Sequence, residues 1–334
     1  MKEARFYTTI DGVVHCALCP HRCRIADGRK GVCQVRKAEG GHLYSLSYGV
    51  VSALALDPIE KKPLYHFHPG KKILSVGSVG CNFKCPFCQN HSISQVRGMG
   101  LSEMLPMLTP SQVLAKALEL VPDGNIGVAF TYSEPSVWFE FVTDTASRIK
   151  ESGLHTAMIS NGFIEQIPLD ELLGVIDAFN IDLKGYSNTF YKRMLGGDIE
   201  PVKRTLKAIV RSGKHLEITY LVIPNENDSI ARFREVVMWI SEVLDPKIVL
   251  HINRYFPQYL MSTPPTSLET LISLYSVAKE YLQNVYIGNT SLVEHSNTYC
   301  TKCGKLLVER GGMSGRVVGL TNDGRCSSCL YKAI

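Results

Sequence analysis

Eleven cysteines gathered into three short groups constrain this chain more than any other feature. The groups are Cys16, Cys19, Cys23 and Cys33; then Cys81, Cys85 and Cys88; then Cys300, Cys303, Cys326 and Cys329. Structural cysteines normally stand singly in a core, where they behave as small hydrophobes. Tight groups at short spacing indicate bound metal instead, and a fold organised around it. Disulfides would need an oxidising compartment. The opening residues Met-Lys-Glu-Ala-Arg-Phe carry no secretory or transit features, and no apolar run approaches the roughly 20 residues that span a bilayer. A cytoplasmic protein with no membrane partner is therefore expected. The formal charge of +5 is mild and spread along the chain, so nucleic acid is not an expected main partner.

Between the outer groups the sequence alternates short apolar runs with amphipathic stretches. Strands are predicted at Ile73–Ser78, Ile126–Tyr132, His155–Ser160, Ala178–Leu183, His215–Ile223 and Ile248–Tyr255, with a weaker seventh at Asn284–Gly288. Helices are predicted at Ser111–Leu120, Ser136–Ser152, Val202–Ser212, Ser229–Val243 and Ser267–Leu282. Thr109-Pro110 supplies a cap and a first-turn proline for the earliest of them. Repeated strand–helix units imply a parallel sheet with right-handed crossovers. Six units are too few for the eight of a closed barrel. The expected fold class is α/β, a partial (β/α)6 barrel at 46–292. A four-cysteine metal-binding segment is expected at each end, 1–45 and 293–334.

The middle group sits in GSVGCNFKCPFCQN, residues 77–90, directly after the first barrel strand. Three thiolates can hold three irons of a 4Fe–4S cube and leave the fourth iron open for a substrate or cofactor. A closed structural site would need a fourth ligand, and His91 is near enough in sequence to supply one to zinc. Cys-x-x-x-Cys-x-aromatic-Cys after the first strand of a parallel α/β domain resembles the radical S-adenosylmethionine (SAM) superfamily. The resemblance implies that the amino and carboxylate groups of SAM chelate the open iron. One electron then cleaves a C–S bond, giving a 5′-deoxyadenosyl radical that abstracts hydrogen. It implies an oxygen-sensitive oxidoreductase fed by a flavodoxin- or ferredoxin-type donor, with Phe87 near adenine.

Further motifs follow at successive strand ends, where parallel barrels place their sites. TYSEP holds Ser133 and Glu134, at the position of the family's ammonium-binding motif; the same pair could instead cap a helix ahead of Pro135. Asn161-Gly162 resembles the family's Asn-Gly turn, or is simply a strand end. In IDLKG, Asp182 and Lys184 share one strand face and resemble the Asp-x-Lys pair of glycyl-radical-enzyme activases, which contacts SAM. Glu217 with Thr219, and His251 with Asn253 and Tyr255, share one face on each of the next two strands; Glu217, His251 and Asn253 are candidate cofactor contacts, or else Glu217 and Thr219 are polar positions of the barrel interior and His251 a satisfied core histidine. The whole chain resembles the pyruvate formate-lyase-activating-enzyme-like group, most closely the radical SAM component of the AmmeMemoRadiSam system. CALCPHRC, DPIEKKPLYHFHPG, FTYSEP, IDLKG and LVIPNEND carry that likeness.

Cys300-x-x-Cys303 and Cys326-x-x-Cys329 have the spacing of a zinc ribbon or a rubredoxin-like iron site. The spacing of Cys16, Cys19, Cys23 and Cys33 fits neither a ribbon nor a ferredoxin run; zinc and an auxiliary 4Fe–4S cluster both remain open, with His15 and His21 as substitute ligands. Three functions follow. The protein abstracts hydrogen from a protein substrate, as a glycyl-radical activase does; or it acts on a small molecule; or it is a non-catalytic iron–sulfur or zinc scaffold for metal delivery. The scaffold has no need of Glu134, Asp182 and Lys184 together.

Overall fold

The computed structural model of the chain describes residues 1–96 and 105–334. At its centre seven parallel strands stand side by side in chain order: Lys72–Gly77, Asn125–Thr131, His155–Ser160, Ala178–Asp182, His215–Val222, Val249–Arg254 and Asn284–Gly288. An eighth strand, Ala53–Pro58, pairs antiparallel with the first. Each strand adds beside its predecessor, so every crossover turns the same way and the sheet curls rather than reversing. Its outermost strands, Ala53–Pro58 and Asn284–Gly288, are not paired with each other, which leaves the barrel open. The expected partial barrel is present, and its weak seventh strand is a full member of the sheet.

Parallel strands covered on both faces read as continuous apolar runs, which is why they were legible. Val128, Ala129 and Phe130 are all completely buried. The helix Phe139–Glu151 buries Phe139, Val142, Ala146 and Ile149, one stripe at three- and four-residue steps. It starts later than predicted because Pro135–Trp138 forms a 3-10 turn. At Pro110–Glu119 the Thr109 side chain accepts from the Gln112 amide while the Gln112 side chain accepts from the Thr109 amide, a reciprocal cap. The helix Gln166–Val175 was not predicted; only Pro168, Leu169 and Leu172 are buried, too few for a clear period. Among the described residues no helix is long and apolar enough to cross a membrane.

Small antiparallel sheets flank the barrel. Near the N-terminus, Tyr7–Ile10, Val13–Cys16 and Arg24–Ile25 form one, and Lys2–Glu3, His42–Ser45 and Arg36–Glu39 another. A buried ion pair from Arg36 to Glu140, joined by the Arg5 amide at 2.8 Å, ties them to the barrel's helical layer. Thr298–Tyr299, Leu306–Gly311 and Ser314–Val317 form the C-terminal sheet. Its buried Arg310 donates to the Tyr65 carbonyl at 2.7 Å and lies 4.1 Å from the Tyr65 ring centre.

Next to Tyr65 in the chain, His66 is buried, with Nε2 2.6 Å from the Tyr286 hydroxyl. Burial disfavours its charged form and holds its pKa at about 3. The unfolded chain takes up a proton near pH 6.5 that the folded chain refuses until far lower, so stability is present above that window and falls as pH drops through it. Between pH 7 and pH 5 the folded state is expected to lose about 2 kcal/mol through this group. Thermal unfolding across that range checks it: His66→Gln should flatten the pH dependence, and an unchanged slope would remove His66 as its source.

Candidate active site

One cavity of about 940 Å³ opens at the C-terminal ends of the parallel strands. It is lined by Cys81, Cys85, Cys88 and Phe87 from the loop after the first parallel strand, and by Ser133, Glu134, Asn161, Asp182, Lys184, His251 and Asn253 from the ends of the later ones. Of the candidate positions of the central site, Glu217 and Tyr255 are missing from its wall, both buried beneath it.

The cysteine loop is held at several points. Gly80 has φ of +79°, and a side chain there would meet the Cys33 carbonyl at 2.8 Å and Val35 at 2.5 Å, so only glycine lets the loop sit against the N-terminal segment. Ser133 Oγ donates to the Gly80 carbonyl at 2.5 Å. Asn82 Nδ2 donates to the Phe163 carbonyl, and Asn161 Nδ2 to Asn82 Oδ1, each at 2.8 Å. The Phe83 amide donates to Cys81 Sγ at 3.3 Å, and Cys88 Sγ lies 3.2 Å from Ser94 Oγ. Burial pushes the Cys81 thiol well up, and the Cys85 thiol up to about 12 with Lys184 opposing. Thiols in such surroundings become thiolates against a metal rather than in its absence. His91 does not close the set: its ring stacks on Tyr259 with centres 4.6 Å apart, and Nδ1 faces the Cys88 carbonyl. Three cavity-facing thiols without a fourth protein ligand among the described residues fit a cluster with one open iron.

Glu134 is both a cap and a cavity residue. Its Oε1 accepts from the Ser136 amide at 3.0 Å and Ser160 Oγ at 2.7 Å, and Oε2 from the Asn161 amide at 2.8 Å. Burial pushes its pKa up. Lys184 Nζ donates to Asp182 Oδ2 at 2.9 Å. Burial works against the Lys184 ammonium, but Asp182 and Cys85 more than offset it and hold the pKa above the ordinary lysine range. Asn227, from LVIPNEND, fixes this corner by donating to the Lys184 carbonyl at 2.9 Å and the Leu221 carbonyl at 2.8 Å. Asn253 packs so closely on Gly288 that a β-carbon there would lie 2.1 Å from its Oδ1.

Glu217 corrects the sequence reading, which placed it among the cofactor contacts. Its carboxylate is completely buried and fully used within the chain. Oε1 accepts from the His66 amide at 2.7 Å and faces His215 Nε2 at 2.9 Å; Oε2 accepts from the Tyr65 amide at 2.9 Å and faces His251 Nε2 at 2.6 Å. It supports the wall from beneath. Sequence reading also missed a charged cluster behind the cavity wall, which Lys61, Lys62 and Tyr132 line. Asp57 accepts from Lys61 Nζ at 2.8 Å, Lys62 Nζ at 2.7 Å, Ser75 Oγ at 2.8 Å and Tyr132 OH at 2.6 Å. Burial alone would raise the Asp57 pKa, but these four donors hold it below the usual carboxylate range. The signal was the pair of lysines in DPIEKKP, used only as a family marker.

At the C-terminus, Cys300 and Cys329 Sγ are 3.6 Å apart, as are Cys303 and Cys326 Sγ, and all four sulfurs lie within 4.8 Å of one another. With metal–sulfur bonds of about 2.3 Å, one tetrahedral ion holds its thiolates roughly 3.8 Å apart, so these four fit a single ion, zinc and iron alike. Cys16, Cys19 and Cys33 are buried and Cys23 is half-buried. His21 is committed elsewhere, with Nε2 2.7 Å from the Asn82 carbonyl.

The family description "Radical SAM superfamily" matches residues 75–237. An uncharacterized protein of Methanocaldococcus jannaschii is 39% identical over 99% of this chain and 98% of its own length. The pyruvate formate-lyase-activating enzyme of Clostridium pasteurianum is 27% identical over 53% of this chain and 75% of its own length. In fold, the chain resembles a radical SAM methyltransferase from Sphaerobacter thermophilus, with a TM-score of 0.52 and 17% identity over 72% of this chain and 71% of that one. That family descriptor falls on the barrel and its cysteine loop, and the likeness to the Methanocaldococcus protein runs almost end to end: the chain belongs to the radical SAM superfamily.

Proposed function

We propose that this protein reductively cleaves SAM and directs the resulting radical at a protein substrate. The observation that carries the reading is the single cavity joining Cys81, Cys85 and Cys88 to Glu134, Asp182 and Lys184. A 4Fe–4S cluster with SAM supplies the electron and the 5′-deoxyadenosyl radical when both are bound. The chain's own groups bind and orient. Glu134 offers a buried carboxylate to an ammonium, a charge-assisted contact in a site shielded from water. The Asp182–Lys184 pair offers an acceptor for hydroxyls and a fixed cation for a carboxylate. His251 and Asn253 close the far wall, and the strand ends keep reacting groups apart from solvent.

A protein substrate is favoured by the names of the activating-enzyme relatives and by the cavity's rim. Phe256 lines the cavity with 47% of its surface exposed, and Met313 with 60%. An apolar rim of that kind suits a peptide segment laid across the mouth. A flavodoxin- or ferredoxin-type donor supplies the electron. The Lys61–Lys62–Tyr132 cluster favours a second reading, a small anionic substrate held deep in the cavity.

The test is anaerobic incubation of reconstituted, dithionite-reduced protein with SAM. The expected products are 5′-deoxyadenosine and methionine in equal amounts, with activity lost in air. Glu134→Gln is expected to weaken SAM binding about tenfold, the scale of one charge-assisted contact. No cleavage by a protein carrying its full iron would sink the reading, and unchanged affinity would leave Glu134 a cap alone. Cell extract divided by size then separates the substrates. Stimulation by the macromolecular fraction supports a protein, and stimulation by the filtrate supports the small molecule.

A further inference from the structure

We propose that Cys16, Cys19, Cys23 and Cys33 hold a second four-iron, four-sulfide cluster, seated directly against the loop of Cys81, Cys85 and Cys88. The N-terminal sulfurs gather, but not as they would around one ion. Among the described residues, only the C-terminal cysteines bring three or more Cys, His, Asp or Glu ligand atoms within 4.8 Å of one another. A single tetrahedral ion with bonds of about 2.3 Å demands that closeness. A cube spreads its thiolates over four corners and holds them farther apart, as the loop of Cys81, Cys85 and Cys88 also does. The four cysteines still lie in one compact part of the N-terminal segment, three of them buried and Cys23 half-buried. The Cys16 amide donates to the Cys23 carbonyl at 3.0 Å, and a β-carbon on Gly31 would lie 3.6 Å from Cys23 Sγ.

The surroundings suit a buried anionic cluster. Val14, Leu18 and Ile25 are buried beside the cysteines. Arg36 is only 1% exposed, and both Cys16 and Cys33 bear electrostatically on its guanidinium. Its terminal nitrogens donate to the Arg5 carbonyl and to Glu140, but its Nε has no hydrogen-bond partner. A buried N–H without an acceptor is costly, and a sulfide or thiolate of a cluster is the kind of acceptor it lacks.

The two cysteine loops touch. The Cys33 carbonyl sits where a Gly80 side chain would be, and His21, between Cys19 and Cys23, reaches the Asn82 carbonyl at 2.7 Å. A cluster held here is next to the central one.

The inference stands apart from the choice of substrate, and metal analysis tests it separately from SAM cleavage. Anaerobically reconstituted wild-type protein is expected to hold about eight iron and eight sulfide per chain, besides the C-terminal ion. A Cys81→Ala, Cys85→Ala, Cys88→Ala triple variant is expected to keep about four of each, with a paramagnetic signal indifferent to SAM. Cys16→Ser with Cys33→Ser should remove the other half and keep the SAM-responsive signal. Only about four sulfide in the wild type with none in the triple variant, or a second zinc in place of sulfide, overturns the proposal. Should the double variant fail to fold, the wild-type and triple-variant counts decide alone.

Discussion

Cys88→Ala protein is expected to fold, to keep its C-terminal metal, and to form no 5′-deoxyadenosine from SAM. Cys88 is half-buried and its sulfur meets Ser94 Oγ at 3.2 Å, so removing it disturbs little packing. The loop keeps its other anchors, the Asn82–Phe163 and Ser133–Gly80 hydrogen bonds among them. What goes is one of three thiolates, and no neighbouring histidine is placed to substitute, because His91 is stacked on Tyr259. Two thiolates leave two irons without protein ligands, and the cube is lost or mis-seated. The loss should therefore be complete rather than graded, while circular dichroism and the zinc or iron at Cys300, Cys303, Cys326 and Cys329 stay as in the wild type. Cleavage retained by this variant would falsify the assignment of the cluster to this loop.

The sequence made the barrel legible because parallel strands buried on both faces leave apolar runs of four to eight residues, bounded by turns. It made the central site legible because a thiol triad and an Asp-x-Lys pair are short, contiguous signals. What escaped was built from distant pieces. Glu217 looked like a cavity residue because its strand position faces inward, and sequence cannot say that the Tyr65 and His66 amides, 152 and 151 residues away, reach its oxygens first. The Asp57 cluster escaped because it gathers Lys61, Lys62, Ser75 and Tyr132 around one carboxylate. Tyr132 does so from a backbone with φ of +72°, which no residue pattern announces. The N-terminal sheets escaped because their strands run only two to four residues.

Glu217→Gln is expected to destabilise the fold by about 3 kcal/mol, in the range for removing one charge from a buried, fully hydrogen-bonded set. Burial works against the Glu217 carboxylate, but His215 and His251 overcome it and hold its pKa well below the ordinary value. The charge is therefore present in the folded state and accepts four hydrogen bonds through two oxygens. Glutamine keeps the shape and one oxygen, but its amide nitrogen must face both a backbone N–H and an imidazole whichever way it turns, leaving at least one buried donor without an acceptor. The consequence spreads through the segment Glu217 anchors. Tyr65 belongs to the cavity wall and receives Arg310 of the C-terminal sheet at its carbonyl, so barrel, segment and tail loosen together. A thermal midpoint several degrees lower is the expected result, with SAM affinity at low temperature changed less than twofold. A residue that touched SAM would show the reverse, near-normal stability with binding lost, and that outcome would return Glu217 to the cofactor's contacts.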